Sequence, residues 1–441
     1  MINKNNIVIG SGLTGPLLSI LLKNQGYGVT LYEKRTDLRL EKLSSGRSIN
    51  LALSYRGISA LKAADIFDDI KSILIPMRGR MIHHKNERLE FQPYSINKDE
   101  FINSVSRKEL NKILINKAED LGIEIYFNYN LKDIDDSSKK LNFDNKKQIP
   151  IQGKIFGADG SRSQVRKYID SKATHPSSFV PLNHSYKELN INPSSSGKFQ
   201  LDPNALHIWP RKNFMLIALP NYDKSFTCTL FLPNYGENSF EKLNTEKAVS
   251  DFFKKNFNDV LPLLEDFPNR FFINPTGNLG TIYAKEWHSE NNFCLIGDAA
   301  HAIVPFFGQG MNASFEDCEI LMKCIDELKG DWSSLFSYYN NKRKRDTDAI
   351  AKMAIENYIE MRDLVLKKKF VNRKDLINQL YKLYPDRFIP RYNMVSFTPI
   401  PYSEVYKRSS IQNKIVEELE LKKTNFNNLK NRIINNLELI N

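Results

Sequence analysis

The sequence predicts an α/β fold in which a Rossmann-like dinucleotide-binding domain is interleaved with an antiparallel β-sheet domain and followed by a helical C-terminal region. Three observations predict it. A glycine turn, Gly10-Ser11-Gly12-Leu13-Thr14-Gly15, lies between an apolar run and an apolar-periodic stretch near the N-terminus. From about 179 to 233 the composition changes to β-branched and aromatic runs broken by Pro, Asn and Gly. Near 292 a short apolar run ending in glycine, Phe293-Cys294-Leu295-Ile296-Gly297, restores the style of a parallel sheet.

Taken in order, residues 6–10 read as a strand, 14–25 as a helix closed by Gly26 and Gly28, and 29–33 as a second strand, which together make a βαβ unit. Helices follow at 54–64 and 106–121, the second opened by Ser106 with Glu109 three residues on, a capping-box spacing. Strands are expected at 123–127, 154–158, 205–209, 213–219 and 225–232, and a helix at 311–328. Residues 331–384 read as helical, 385–401 as a Pro-rich extended piece, and the remainder as an amphipathic segment. The division that results is 1–178 and 276–330 for the nucleotide-binding domain, 179–275 for the antiparallel sheet, and 331–441 for the helical region.

A chain of 441 residues with 41% apolar and 26% charged residues has the composition of a globular protein of two or three connected domains. Its formal charge of +12 is spread among acids and asparagines, with only short clusters such as Lys342-Arg343-Lys344-Arg345 and Lys367-Lys368-Lys369, so nucleic acid is not an expected partner. Cys228, Cys294, Cys318 and Cys324 show neither C-x-x-C pairing nor zinc-ligand spacing, which predicts reduced thiols and no metal. The N-terminus leaves no room for a signal peptide, and no run reaches the ~18 apolar residues of a membrane span. A cytoplasmic protein without a stable membrane anchor is the expectation, its oligomeric state, monomer or dimer, left open.

The glycine turn carries the first chemistry. Glu33 ends the second strand eighteen residues beyond Gly15. Gly10, Gly12 and Gly15 allow a tight turn and close approach of a pyrophosphate at a helix N-terminus, and the carboxylate accepts from ribose hydroxyls. This pattern does not choose between FAD and NAD.

Two later motifs bear on that choice. Gly157-Ala158-Asp159-Gly160-Ser161-Arg162-Ser163 and Gly297-Asp298-Ala299-Ala300-His301 each close a strand, and the second is followed by Pro305-Phe306-Phe307-Gly308-Gln309-Gly310-Met311-Asn312. Gly308 and Gly310 give a permissive loop opening a helix whose free amides face a ligand. Each aspartate taken alone can also be read as a helix cap. Together and in this order, the motifs resemble the flavoprotein aromatic hydroxylases, the para-hydroxybenzoate hydroxylase-like family. The resemblance implies bound FAD, with Asp159 near the pyrophosphate and the transient NADPH, and Asp298 on the ribityl chain.

Within that family the segments Gly46-Arg47-Ser48-Ile49-Asn50-Leu51-Ala52-Leu53-Ser54, Ile75-Pro76-Met77-Arg78-Gly79-Arg80-Met81-Ile82-His83, Val105-Ser106-Arg107-Lys108-Glu109-Leu110-Asn111 and the Pro305 to Asn312 loop are similar to the kynurenine-hydroxylating branch, a match that runs from residue 5 to about 405. The resemblance implies that Arg80 and Tyr94 hold the carboxylate of L-kynurenine, that Asn357 and Tyr392 are two further substrate-binding positions, and that Arg107, Leu131, Met311 and Asn312 contact the flavin. An arginine fork with phenol and amide donors suits an amino-acid carboxylate. Leu206, Ile208, Met215, Ile217, Thr229 and Phe231 alternate along their strands and, with Phe306 and Phe307, line either an aromatic-ring pocket or plain core.

The implied cycle has NADPH reduce FAD, O2 add at flavin C4a, and the distal oxygen of the hydroperoxide pass to the ring carbon ortho to the substrate's amino group. Tryptophan degradation and NAD biosynthesis through quinolinate are the implied setting. No protein acid or base is required, and His301 reads as structural. Two rivals stay open: hydroxylation of another acid, such as a salicylate-like one, and a non-catalytic flavin-binding redox module.

Overall fold

In a computed structural model, residues 5–40, 50–289, 291–364, 368–421 and 426–440 are described. Gly46 to Ile49 of the kynurenine-branch segment, and Lys367 of the second lysine cluster, lie outside them.

The N-terminal βαβ unit forms where the apolar pattern puts it: strands Asn6–Ile9 and Val29–Glu33 flank helix Thr14–Asn24. Both strands are buried along their length, as expected for the middle of a parallel sheet covered on both faces. The sheet has six strands, in the order His288–Ser289, Phe293–Leu295, Ile155–Gly157, Asn6–Ile9, Val29–Glu33, Glu124–Phe127. Only His288–Ser289 runs antiparallel to its neighbour. The nucleotide-binding sheet is therefore assembled from residues nearly 300 apart, as the return of apolar strands after residue 292 predicts.

The second sheet has seven strands, in the order Thr276–Tyr283, Ser178–Ile191, Phe226–Pro233, Met215–Pro220, Ala205–Pro210, Gly79–His83, Leu89–Pro93. Its membership cuts across the expected division of the sequence. Two strands come from within 1–178 and one from within 276–330. The sheet is also not purely antiparallel, because Ala205–Pro210 pairs in parallel with Gly79–His83. One face of the seven-stranded sheet packs on a cluster that includes Trp209, Phe253 and Phe257, and the other on Phe306, Met353 and Tyr358.

Two smaller three-stranded sheets, Leu131–Asp135 with Lys140–Phe143 and Gln148–Pro150, and Asn50–Leu53 with Ile102–Ser106 and Ile75–Met77, complete the β structure among the described residues. Ser106 caps helix Arg107–Asp120, its Oγ accepting from Glu109 N at 3.4 Å, while the Glu109 carboxylate takes Lys112 at 2.9 Å.

The C-terminal region is helical: Leu335–Ile359 continues through a π-helical turn at Glu360–Leu364, and Lys368–Leu383, Tyr402–Glu420 and Phe426–Asn436 follow. One expectation is corrected. The 385–401 piece is not extended throughout, because Arg391–Phe397 forms a helix. Pro390 stands at its N-cap and the chain turns extended at Thr398, so the prolines bound a helix rather than prevent one. This region is bolted to the rest by a buried charge network. Arg343 bonds Asp317 at 2.8 Å and Glu316 at 2.9 Å, Arg56 also pairs with Glu316, and the Arg56 guanidinium lies 3.9 Å from the centre of the Tyr402 ring.

Candidate active site

A single cavity of about 640 Å³ runs from the glycine turn to the seven-stranded sheet. Sixteen of the sequence-predicted site residues line it: Gly10, Gly12, Glu33, Arg80, Tyr94, Arg107, Leu131, Asp159, Phe231, Asp298, Phe306, Phe307, Gly308, Gly310, Met311 and Tyr392. Three do not. Gly15 packs helix against strand: a Cβ there would lie 1.9 Å from the Gly10 carbonyl oxygen. Asn312 spends its amide on the protein, donating to Ala52 O at 2.7 Å and Gly308 O at 2.8 Å and accepting from Ser54 N at 2.9 Å. Asn357 sits behind the cavity wall, its Nδ2 donating to Phe306 O at 2.7 Å. These two asparagines were expected to touch flavin and substrate. In this structure they hold the backbone of residues that line the cavity, because buried carbonyls compete for the same amides.

At the nucleotide end, the glycine turn leaves the backbone bare towards the cavity. Gly10 has φ +106°, and a Cβ there would strike the Ala158 carbonyl oxygen at 2.5 Å, so the turn and the Ile155–Gly157 strand close on each other only with glycine present. Glu33 accepts from Ser11 N at 2.6 Å and from Arg35 N and Nε at 3.0 and 2.7 Å. Burial alone would raise its pKa, but those bonds outweigh it and hold the carboxyl below its usual range, leaving a buried anion at the strand end. Asp159 caps helix Gln164–Lys172 through Oδ2, which accepts from Gln164 N at 2.7 Å, while its buried Oδ1 has no protein partner. Burial pushes the Asp159 carboxyl up.

The far end is aromatic and basic. Tyr94 stacks on Tyr392 with ring centres 4.9 Å apart, and Tyr392 on Phe307 at 5.6 Å. Arg80 is buried beside them, its guanidinium carbon 5.2 Å from the Tyr392 ring centre and 5.8 Å from that of Tyr94. Its Nη1 lies 3.4 Å from Glu360 Oε1, at the edge of a hydrogen bond, and its Nε has no partner. Desolvation disfavours the charged guanidinium, but the Glu360 carboxylate and the two tyrosines reverse this and raise its pKa. Tyr94 OH is likewise buried without a partner, and burial keeps it protonated. The cluster is thus a set of unspent donors around a fixed positive charge, which is what a carboxylate needs.

Between the two ends, Leu206, Met215, Ile217, Thr229 and Phe231 line the cavity, and Ile208 packs in the core behind them. Phe306 stacks on Tyr358 at 3.8 Å and meets Phe231 edge-on at 4.9 Å. Sequence reasoning missed Tyr186, Glu188 and Met361, which also line the cavity. Period-two alternation along Ser178–Ile191 would have put Tyr186 and Glu188 on one face, but the buried Lys187 between them masks the pattern. Lys374, which does not line the cavity, has its pKa pulled down to about 8 by burial and then by the charge of Arg80. His301 bonds Asp317 at 2.5 Å, within the buried charge network.

No group of three His, Cys, Asp or Glu side chains among the described residues is arranged to hold a metal, and no described helix is long and apolar enough to cross a membrane. The four cysteines are free and buried.

The fit to FAD rests on this geometry: a bare glycine turn, an anionic strand end, an unpaired buried Asp159 oxygen, and an elongated cavity with room beyond them. A family model described as FAD binding domain matches residues 4–354. Among curated proteins, the chain is 40% identical to kynurenine 3-monooxygenase of Legionella pneumophila (strain Corby), covering 94% of this chain and 93% of that one. It is 42% identical to the protein of the same name from Flavobacterium johnsoniae (96% and 95% covered) and to that from Myxococcus xanthus (93% and 90%). Among solved structures, 2-methyl-3-hydroxypyridine-5-carboxylic acid oxygenase matches with TM-score 0.67 at 18% identity (83% and 94% covered). Pseudomonas aeruginosa PqsL in complex with 2-aminobenzoylacetate matches with TM-score 0.62 at 16% identity (82% and 97%), and both share the fold.

Proposed function

Because the chain belongs to the kynurenine 3-monooxygenase family of FAD-dependent hydroxylases, we propose that it converts L-kynurenine to 3-hydroxykynurenine with NADPH and O2, in tryptophan degradation and the quinolinate route to NAD. The observation that carries the substrate is the far end of the cavity, where a buried arginine and an unpartnered tyrosine hydroxyl stand beside an aromatic slot.

FAD, reduced by NADPH, supplies the activation of O2 and the transfer of one oxygen atom. The protein's part is to bind, orient and exclude water. Gly10, Gly12, Glu33, Arg107, Leu131, Asp159, Asp298, Gly308, Gly310 and Met311 would hold the cofactor, with Gly15 and Asn312 supporting its cradle. Arg80 and Tyr94 OH take the substrate carboxylate, and Tyr392 stacks against the site. Phe231, Phe306 and Phe307 wall the space for the aromatic ring and keep it dry, which protects a reactive oxygen species from discharge to water. Asn357 acts by fixing the Phe306 carbonyl. No side chain needs to act as acid or base in oxygen transfer. The reading includes a cytoplasmic location, supported by the four free, buried cysteines, and neither nucleic acid nor a membrane anchor as partner.

The test is NADPH oxidation by the purified, FAD-loaded protein with a panel of aromatic acids, followed by product identification. Kynurenine should stimulate oxidation and yield the 3-hydroxy product. Stimulation by a salicylate-like acid with none by kynurenine would overturn the substrate, and FAD binding without turnover on any of them would overturn the enzyme reading.

A further inference from the structure

The strand that carries Arg80 ends in His83, whose buried ring, with that of His207, forms the middle of a polar chain that runs from Asp259 to the Asp202 carbonyl on the opposite face of the sheet. His207 Nε2 lies 2.8 Å from the Asp202 carbonyl oxygen, which can only accept, so that nitrogen carries a proton. A neutral His207 then has a bare Nδ1, and His83 Nε2, 2.8 Å away, must donate to it. His83 Nδ1 faces Asp259 Oδ2 at 2.9 Å. One more proton therefore lies on this last contact, on the ring or on the carboxyl.

Two observations put it on the ring. Trp209 Nε1 also donates to Asp259 Oδ2, at 2.7 Å, a bond that a carboxylate accepts better than a carboxylic acid. The Trp209 ring stacks on His83 at 3.8 Å between centres, a geometry that favours a cation. Although burial opposes it, the bonds from His83 and Trp209 hold the Asp259 carboxyl below its usual range, while burial draws His207 down to about 4 and keeps it neutral.

We propose that His83 is a buried imidazolium paired with Asp259, and that this pair is a positioning device that fixes the Gly79–His83 strand and thereby sets Arg80 for the substrate carboxylate. The strand needs such a device. Its pairing with Ala205–Pro210 is the one parallel pairing in the seven-stranded sheet, and parallel ladders are the less stable kind. Its other neighbour, Leu89–Pro93, is an edge strand. The His83 to His207 bond ties the two parallel strands side chain to side chain, and Asp259 and Trp209 anchor the tie to the layer beneath. Other charged groups face the pair: Arg211 donates to His83 O at 3.0 Å, Asp202 flanks His207, and Glu87 in the adjoining hairpin accepts from Asn258 at 3.2 Å.

The effect on activity rests on Arg80 reading the substrate carboxylate. The experiment uses the FAD-loaded protein labelled with 15N-histidine, with Asp259→Asn, His83→Gln and Arg80→Met as variants. At neutral pH the parent should show both His83 nitrogens protonated, and His207 with one protonated and one bare nitrogen. Asp259→Asn should raise KM for kynurenine by about tenfold, with kcat and FAD content near those of the parent. His83→Gln, which leaves the strand end without a charge to pair with Asp259, should raise KM to a similar extent. A bare His83 nitrogen at neutral pH overturns the ion pair even if every variant fails to fold. A parental KM in both Asp259→Asn and His83→Gln overturns the positioning role if Arg80→Met raises KM. If Arg80→Met also leaves KM unchanged, it is the reading of Arg80 that fails, and the positioning role falls with it.

Discussion

Tyr94→Phe separates a residue kept for the fold from one kept for a ligand. The phenol oxygen is buried and has no partner in the protein, while the ring stacks on Tyr392 at 4.9 Å. A buried polar group left unpaired costs about 1–3 kcal/mol, so removing it should stabilise the substrate-free, FAD-bound protein by up to that amount, since phenylalanine keeps the stacking. The same change removes a donor to a charged acceptor in the complex, about 1.5–3 kcal/mol, or roughly 10- to 150-fold in kynurenine dissociation constant. The two effects have opposite signs. Thermal unfolding without kynurenine should shift upward, and titration followed by flavin absorbance should show weakened binding. A variant that melts lower and binds kynurenine like the parent would refute the reasoning, because Tyr94 would then be an ordinary core residue with its hydroxyl satisfied.

Arg80→Met, which keeps an apolar stem, should weaken kynurenine binding by about 2–3 kcal/mol, the lower part of the range for buried charge pairs, because Glu360 is 37% exposed and can be solvated once abandoned. Lysine should rescue only in part, since a point charge lacks the fork, and this is read in the same titration. Glu33 has a folded pKa below its unfolded value, so its contribution is present above the unfolded value and lost as pH falls through the folded one. The FAD-bound parent should therefore lose stability in acid more steeply than Glu33→Gln, which should retain FAD less well at neutral pH, as measured by ultrafiltration and melting. Gly15→Ala places a Cβ 1.9 Å from a backbone oxygen and should abolish FAD retention or folding, whereas Gly12→Ala, with open space around its Cβ, should remain folded.

The nucleotide end was legible because its signals are local. A strand, a glycine turn, an apolar helix and Glu33 fall within residues 6 to 33, and each obeys its own short-range rule. The membership of the second sheet was not. Nothing near Gly79–His83 indicates that it will pair with Ala205–Pro210 over 120 residues away, since strand pairing is decided by which faces the whole chain must bury. Asn312 and Asn357 show a second limit. Their place in family-like segments was visible, but whether an amide faces a ligand or a carbonyl depends on which backbone groups the fold leaves unpaired. The Arg391–Phe397 helix carried a usable signal, a proline at its N-cap, which the density of prolines around it concealed.

The six-stranded sheet has a consequence for synthesis. Strand Phe293–Leu295 lies beside Ile155–Gly157, which lies beside Asn6–Ile9, and Asp298 follows directly on the last-made of these three strands. A chain growing at ~5–20 residues per second spends its first tens of seconds with the glycine turn emerged and its opposite wall not yet translated. Closing that gap brings together segments separated by almost 300 residues, a slow, non-local step. Arg80 and Tyr392 are farther apart still, so the two ends of the cavity mature in sequence: the nucleotide cradle can close once the chain has passed the end of its third hundred and the Asp298 helix has emerged, and the carboxylate end only when the final helices dock. A nascent chain can therefore become competent for its cofactor before it is competent for its substrate.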